Sequence, residues 1–450
     1  MKIVQTMLTA CKRRFFSLEL LNNVFWAFGG RFSALAGQFI AGIFAARVLG
    51  PDEFGTLNYV ISLVTIFSVL AAFGLDFIEI RELSGKKSPK DIDLPTLLIL
   101  RLCLAGLTLV LLVGCIFLFQ LTATNAVYVL VYSVMFIFQA FNPIRNYFTA
   151  ILQNKLIVLS ELIRNSIGTV LKLLLIFAHA PLVLIIAAYA FDYVLLGLGY
   201  WRVYRIYVGH LKFCFNRSRA LFYLREAFPL LLSSAVIIVY QKIDQVIIHS
   251  LMNDSAVGQF AVAGKIVEIV TIIPVVVSQT IMPVLVKSCE KEPARYLQQQ
   301  QRMMDLTVWT SVLIAFMVCF CAPFLIPLFF GNQYDAGIRA LQIMAWKVPA
   351  MALSAVSGHL IIIAGLQKYT IWRNIFGCVL CVVLNYMLIP RYGINGSAVA
   401  SLVTMFFSGL FSHVLIPPYF GILKIQIRAI LFGWKDLWIW GCHVFLTKKV

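Results

Sequence analysis

Charge is what this sequence has least of. Only 12% of its 450 residues are Asp, Glu, Lys or Arg, while 61% are apolar; an average soluble domain carries about twice that share of charge. No water-soluble domain is therefore expected along the chain. The alternating ~10-residue segments of an outer-membrane barrel are missing too, because the apolar runs extend over ~20 residues, the length a helix needs to cross a bilayer. Near the start, no compact apolar stretch ends in a small-residue cleavage site. Residues 1–21, with Lys2, Lys12, Arg13 and Arg14, are accordingly expected to remain as a cytoplasmic tail. A phosphate-cradling G-x-x-x-x-G-K loop is also lacking, which speaks against direct ATP use.

Disulfides are not expected despite ten cysteines. Cys115, Cys319, Cys321, Cys378 and Cys381 fall in or near apolar runs, and Cys11, Cys214 and Cys289 fall on the reducing side. The spacing of Cys378 and Cys381 is that of a redox or metal motif, but in an apolar helix the pair reads as small packing residues. Neither a metal site nor a cofactor is expected.

What charge there is has one dominant sign, 37 Lys and Arg against 19 Asp and Glu, for a net +18. In a soluble protein this balance would suggest nucleic acid. Here most of the cations gather in the two tails and in alternate loops, with Arg47 and Arg391 on the other side. That asymmetry sets topology, placing both termini in the cytoplasm, and no nucleic-acid partner is expected. The expected fold is an all-α polytopic membrane protein of about 12 transmembrane helices. The domains read as a tail over 1–21, a six-helix lobe over 22–205, a cytoplasmic linker over 206–225, a second six-helix lobe over 226–420 and a basic C-terminal tail over 421–450. Trp434, Trp438 and Trp440 around Lys435 and Asp436 suit an interfacial helix in that last stretch.

The two lobes read as a repeat. "VLGPDEFGTLNYV" (Val48 to Val60) is matched by "SLMNDSAVGQFAV" (Ser250 to Val262), with Gly55 opposite Gly258. "RNSIGTVLKLLL" (Arg164 to Leu175) returns as "RNIFGCVLCVVL" (Arg373 to Leu384). Six spans in each lobe make the repeat parallel, an arrangement suited to alternating access.

"AARVLGPDEFGTLNYV", "KIDQVIIHSLMNDSAVGQFAVAGKI" and "LNYMLIPRYGINGSAVAS" resemble the Wzx-type O-antigen and polysaccharide repeat-unit flippases of the multidrug, oligosaccharidyl-lipid and polysaccharide exporter superfamily. The resemblance implies a MATE/MurJ-like transporter. It would carry undecaprenyl-diphosphate-linked oligosaccharide from the cytoplasmic to the periplasmic leaflet. Its partners would then be the lipid-linked oligosaccharide, membrane lipids, a polysaccharide polymerase and a chain-length regulator.

Charges inside the spans carry the remaining argument, since an ionised side chain at mid-bilayer costs about 3 kcal/mol or more unless it faces protein or water. At ~100° per residue, Ser234, Gln241, Gln245 and His249 share one face of a helix, bordered by Lys242 on one side and Asp244 on the other. Arg339, Gln342, Lys347, Ser354 and Ser357 share another, with a kink offered by Pro349. Arg31, Lys172, Lys242, Arg339 and Lys347 stand as candidate substrate-binding cations of a central cavity that would suit a diphosphate. Asp244, Gln241 and Gln245 are candidate coupling or cavity groups, with a proton or sodium ion as the coupling species. Lys265 and Glu268, three residues apart, are expected to form a structural pair, and His249 to lie near the interface.

Competing readings remain open on the residues alone. A drug antiporter of the same fold should have a carboxylate-rich interior, whereas cations prevail here. A peptidoglycan-precursor flippase would share the carrier diphosphate. A membrane polymerase or ligase needs a convergent catalytic set, and the short outward loops "GPDEFG", "MNDSA" and "RYGING" supply none.

Overall fold

The computed structural model describes the backbone of residues 2–84, 90–211, 214–291 and 293–447. It describes the side chains of residues 35–84, 93–211, 214–279, 281, 282, 285 and 296–436. Among the described residues every regular element is helical. The order is α1 (Lys2–Ala72), α2 (Leu75–Ser84), α3 (Lys90–Leu118), α4 (Ala123–Ser133), α5 (Met135–Gln139), α6 (Asn142–Ala150), α7 (Asn154–Phe177), α8 (Leu182–Tyr207) and α9 (Arg217–Leu251). There follow α10 (Asp254–Lys291), α11 (Pro293–Phe330), α12 (Gly337–Ala345), α13 (Lys347–Ile363), α14 (Thr370–Tyr392), α15 (Ile394–Phe406), α16 (Ser412–Leu415) and α17 (Phe420–Thr447).

Ten described intervals are long and apolar enough to cross a membrane. The first, Leu35–Ser84, is broken at Gly50, where φ 74 and ψ 176 are open to glycine alone, and Pro51 restarts the helix. Adding α7, whose Lys155, Glu161, Arg164 and Lys172 make it less apolar, brings the count to the expected dozen. The all-α polytopic fold class is borne out.

The chain forms two compact units, Met1–Val48 with Leu63–Ala235, and Leu49–Ser62 with Val236–Val450. The boundary at Ala235 and Val236 falls inside α9. In the first unit, Leu75, Ile78, Leu83, Leu97, Leu100 and Leu104 pack around Ala220, Tyr223 and Ala227 at the start of α9. Set into this apolar cluster is Arg101, 1% exposed, which donates to Glu79 and to Asp76, both at 2.7 Å. Asn146 Nδ2 donates to the other Glu79 oxygen at 2.6 Å and to the same Asp76 oxygen at 3.0 Å. Arg219 clamps Asp93 through two nitrogens at 2.7 and 2.8 Å.

In the second unit the matched turns meet. A Cβ on Gly55 would lie 1.7 Å from the Asp254 carbonyl oxygen, and one on Gly258 would lie 2.2 Å from that of Pro51. The two glycines paired by the repeat are therefore the points at which each segment admits the backbone of the other. Beside them Thr56 donates to Asp254 at 2.9 Å, and His249 Nδ1 meets the other Asp254 oxygen at 2.5 Å. The His249 ring stacks on Tyr59 with centroids 3.7 Å apart. α17 packs along α11, where Gln301 donates to the Ile425 carbonyl at 3.2 Å and Trp309 to that of Ala429 at 2.9 Å.

Two outcomes follow from this packing. Arg101→Met leaves Glu79, fully buried, without a cation, and should cost about 3–5 kcal/mol; Arg81→Met, in a pair 53% and 41% exposed, should cost at most about 1 kcal/mol. Thermal unfolding of the detergent-solubilised proteins compares them. Gly55→Val and Gly258→Val should each reduce function at least tenfold, since the obstructing atom is backbone, whereas Gly106→Val, with open space around its Cβ, should be neutral in a transport or complementation assay.

Candidate functional site

The polar groups of the second unit converge on Asp244. Its carboxylate, on α9, is 4% exposed and turned into the unit. One oxygen accepts from Asn385 Nδ2 at 2.8 Å and from the Cys381 thiol at 3.3 Å, both on α14. The other accepts a short hydrogen bond from the Ser401 hydroxyl of α15. Asn385 Oδ1 in turn accepts from Ser397 at 2.7 Å, which fixes the amide's orientation.

Local sequence explains the convergence. Gly393 turns the chain between α14 and α15 at φ 57, and Gly396 lets the helices close until a Cβ there would sit 2.3 Å from the Leu388 carbonyl oxygen. Asn385 on one helix is thereby brought against Ser397 and Ser401, one turn apart on the other.

Lys347 occupies the break between α12 and α13. Pro349 has no N–H to give the Ala345 carbonyl, so α12 ends at Ala345 and a new helix begins at Lys347. Lys347 lies in the field of Asp244 and of Lys242, with no carboxylate within ion-pair distance among the described residues. Lys242 is half-buried, and no described carboxylate pairs with it either. Gln241 is exposed on the same helix, and Gln245 accepts from Ser62 at 2.6 Å. Asp244, Lys242 and Lys347 thus form a cluster of one buried carboxylate and two cations without direct partners. Arg339 is exposed near the start of α12, away from this network of hydrogen bonds. The Arg31 side chain lies outside the described residues.

One sequence expectation needs correction. Lys172, expected among the substrate-binding cations, is the partner of Asp192, and both are buried. The reason is Gly168: its missing Cβ would fall 1.8 Å from Asp192 Oδ1, so α8 can press its carboxylate against α7. Arg164 approaches the same carboxylate at 3.9 Å, and Tyr189 covers the Lys172 ammonium at 4.5 Å. On the same helix Glu161 accepts from Arg145 and from Tyr200, both at 2.9 Å. The Lys265 ammonium turns over the Phe54 ring at 5.8 Å, while Glu268 is exposed.

Residue-by-residue reading missed Asn385, Ser397 and Ser401. The four-residue spacings Cys381/Asn385 and Ser397/Ser401 were the available signal, a narrow polar stripe on each of two otherwise apolar helices.

A polytopic all-α chain with partnerless cations beside a buried carboxylate has the build of a membrane transporter. The chain belongs to the polysaccharide biosynthesis protein family, which it matches over residues 20–289, and residues 229–387 also match the MatE family. It is 21% identical to the "Putative O-antigen transporter" of Shigella dysenteriae over 377 residues, spanning 81% of this chain and 92% of that protein. Its fold is similar to that of the lipid II flippase MurJ in an inward closed conformation, with a TM-score of 0.67 and 14% identity over 92% of each chain. A multidrug resistance MATE transporter in an inward-facing conformation aligns with a TM-score of 0.66 and 14% identity, over 88% of this chain and 94% of that one. The protein is thus a multi-pass membrane transporter of the flippase and multidrug-exporter superfamily, not an enzyme.

In a variant whose native cysteines are replaced, cysteine at Gln241 or Lys242 should react with a small hydrophilic thiol reagent at least tenfold faster than cysteine at Lys172, because the first side chain is exposed, the second half-buried and the third sealed. Mass spectrometry of the labelled protein reads the rates.

Proposed function

We propose that this protein moves undecaprenyl-diphosphate-linked oligosaccharide repeat units from the cytoplasmic to the periplasmic leaflet of a bacterial inner membrane, for O-antigen or another surface polysaccharide. The observation that carries the reading is the pair of partnerless lysines, Lys242 and Lys347, around one buried carboxylate in the second unit. A diphosphate leaving the headgroup region loses hydration, and charge-assisted hydrogen bonds from lysines replace it. A cationic drug would be repelled by the same groups, which disfavours the drug-antiporter reading. The name given to the Shigella relative and the family match favour the same substrate class.

Asp244 is the coupling group in this proposal. Its hydrogen bonds come from neutral donors, Asn385, Ser401 and Cys381, and no cation touches it directly, so a proton or sodium ion can join or leave without breaking an ion pair. Both termini face the cytoplasm, and the flipped units pass to a polymerase with its chain-length regulator.

The test is deletion of the gene followed by complementation at matched protein levels. Wild type should restore surface polysaccharide, while Lys242→Ala, Lys347→Ala and Asp244→Asn should each leave at least tenfold less, with lipid-linked units accumulating on the cytoplasmic side. Intact surface glycan after deletion, together with raised drug sensitivity, would refute the substrate assignment. Rescue by all three variants would make these charges structural.

A further inference from the structure

The repeat holds in chemistry as well as in sequence, and it is incomplete in one unit. Arg164 and Asn165 open the motif on α7, Arg373 and Asn374 on α14, each followed by a glycine four residues after the arginine, Gly168 and Gly377. In both units the same atoms, the arginine Nε and the asparagine Nδ2, are buried without a hydrogen-bond partner. In the first unit the facing helix supplies a carboxylate: Asp192 fills the space over Gly168 and stands 3.9 Å from Arg164. Over Gly377 in the second unit stand Ser408 and Thr404, each 4.0 Å from where a Cβ would be.

No carboxylate meets Arg373. The side chain is 8% exposed, Nε and Nη1 are both buried and partnerless, and no ion pair forms with it among the described residues. Its electrostatic neighbours are Tyr240, Tyr419 and His413, none of them acidic. Snorkelling relieves it little, since two of the three guanidinium nitrogens, Nε and Nη1, are enclosed. A buried, uncompensated guanidinium is among the most costly groups a membrane protein can hold, and it persists where an anion neutralises it in some state. Three donor nitrogens without partners, two on a planar fork and one on an amide, match an oxyanion with several acceptor oxygens.

We propose that Arg373 and Asn374 form an anion site of phosphate type, in which a phosphate oxyanion takes the place that Asp192 occupies in the first unit. The residues lie one turn into α14, whose start the charge distribution assigns to the cytoplasmic face. Lys368 and Tyr369, immediately before that helix, add a further cation and an interfacial ring. The phosphate is presented by a lipid headgroup of that leaflet or as a soluble diphosphate. The argument for this site does not depend on the transport reading.

The full chain in nanodiscs tests it, with phosphatidylglycerol titrated into phosphatidylcholine in one arm and sodium pyrophosphate added to pure phosphatidylcholine discs in the other. Retained anion is read by native mass spectrometry and the unfolding midpoint by a thermal scan. Wild type should bind at least one of the two probes and gain several degrees, with phosphatidylglycerol alone effective if the source is a headgroup and pyrophosphate effective if it is a soluble diphosphate. Arg373→Gln should weaken binding at least tenfold and Arg373→Lys less, while Arg164→Gln should leave it unchanged. Ser408→Asp, which recreates the carboxylate of the first unit, should raise the midpoint without ligand and abolish binding. Failure of wild type to bind either probe, or undiminished binding by Arg373→Gln, overturns the proposal. A Ser408→Asp protein that neither gains stability nor loses binding overturns the choice of ligand class.

Discussion

The cost of an ionised group away from water organises both units. Each charge inside the bilayer must find an opposite charge, a set of hydrogen bonds, water or a ligand, and which of these it finds separates structural from functional residues. In the first unit the described cases are closed by protein: Arg101 by Glu79 and Asp76, Arg145 by Glu161, and Lys172 with Arg164 by Asp192. In the second, Asp244 is satisfied by neutral donors, while Lys242, Lys347 and Arg373 find no direct carboxylate among the described residues. The second unit is therefore the one in which described cations stand without a carboxylate.

Glycine and proline set the geometry that makes this difference. Gly168 admits a carboxylate to α7, Gly396 draws α15 against α14, and Pro349 opens the helix at Lys347. None of these residues carries chemistry itself. Each decides which neighbour a charged side chain can reach, and a single Cβ at Gly168 would exclude the Asp192 carboxylate from its present position.

Much of the fold was legible because the bilayer imposes long periodic signals. Runs of ~20 apolar residues, the side on which basic residues gather and the weak repeat were enough for an all-α polytopic membrane class with paired motifs. Gly55 and Gly258 could be matched before any contact between their segments was known, and the structure sets each against the other segment's backbone. Pairing was the illegible part. Lys172 and Asp192 are 20 residues apart on different helices, and Asp244 meets residues more than 130 positions away. Helical spacing rules apply within one helix only, and these pairings run between helices.

By itself the sequence determined that the chain is a helical membrane protein, where its helices break, and that cations outnumber carboxylates along it. These are properties of local composition and periodicity, fixed by the solvent that each segment must meet. The tertiary structure decided which charges are spent on one another, because neutralisation depends on distances of a few ångströms between helices. That is how Lys172 came to be paired with Asp192, while Lys242, Lys347 and the unforeseen Arg373 meet no carboxylate among the described residues.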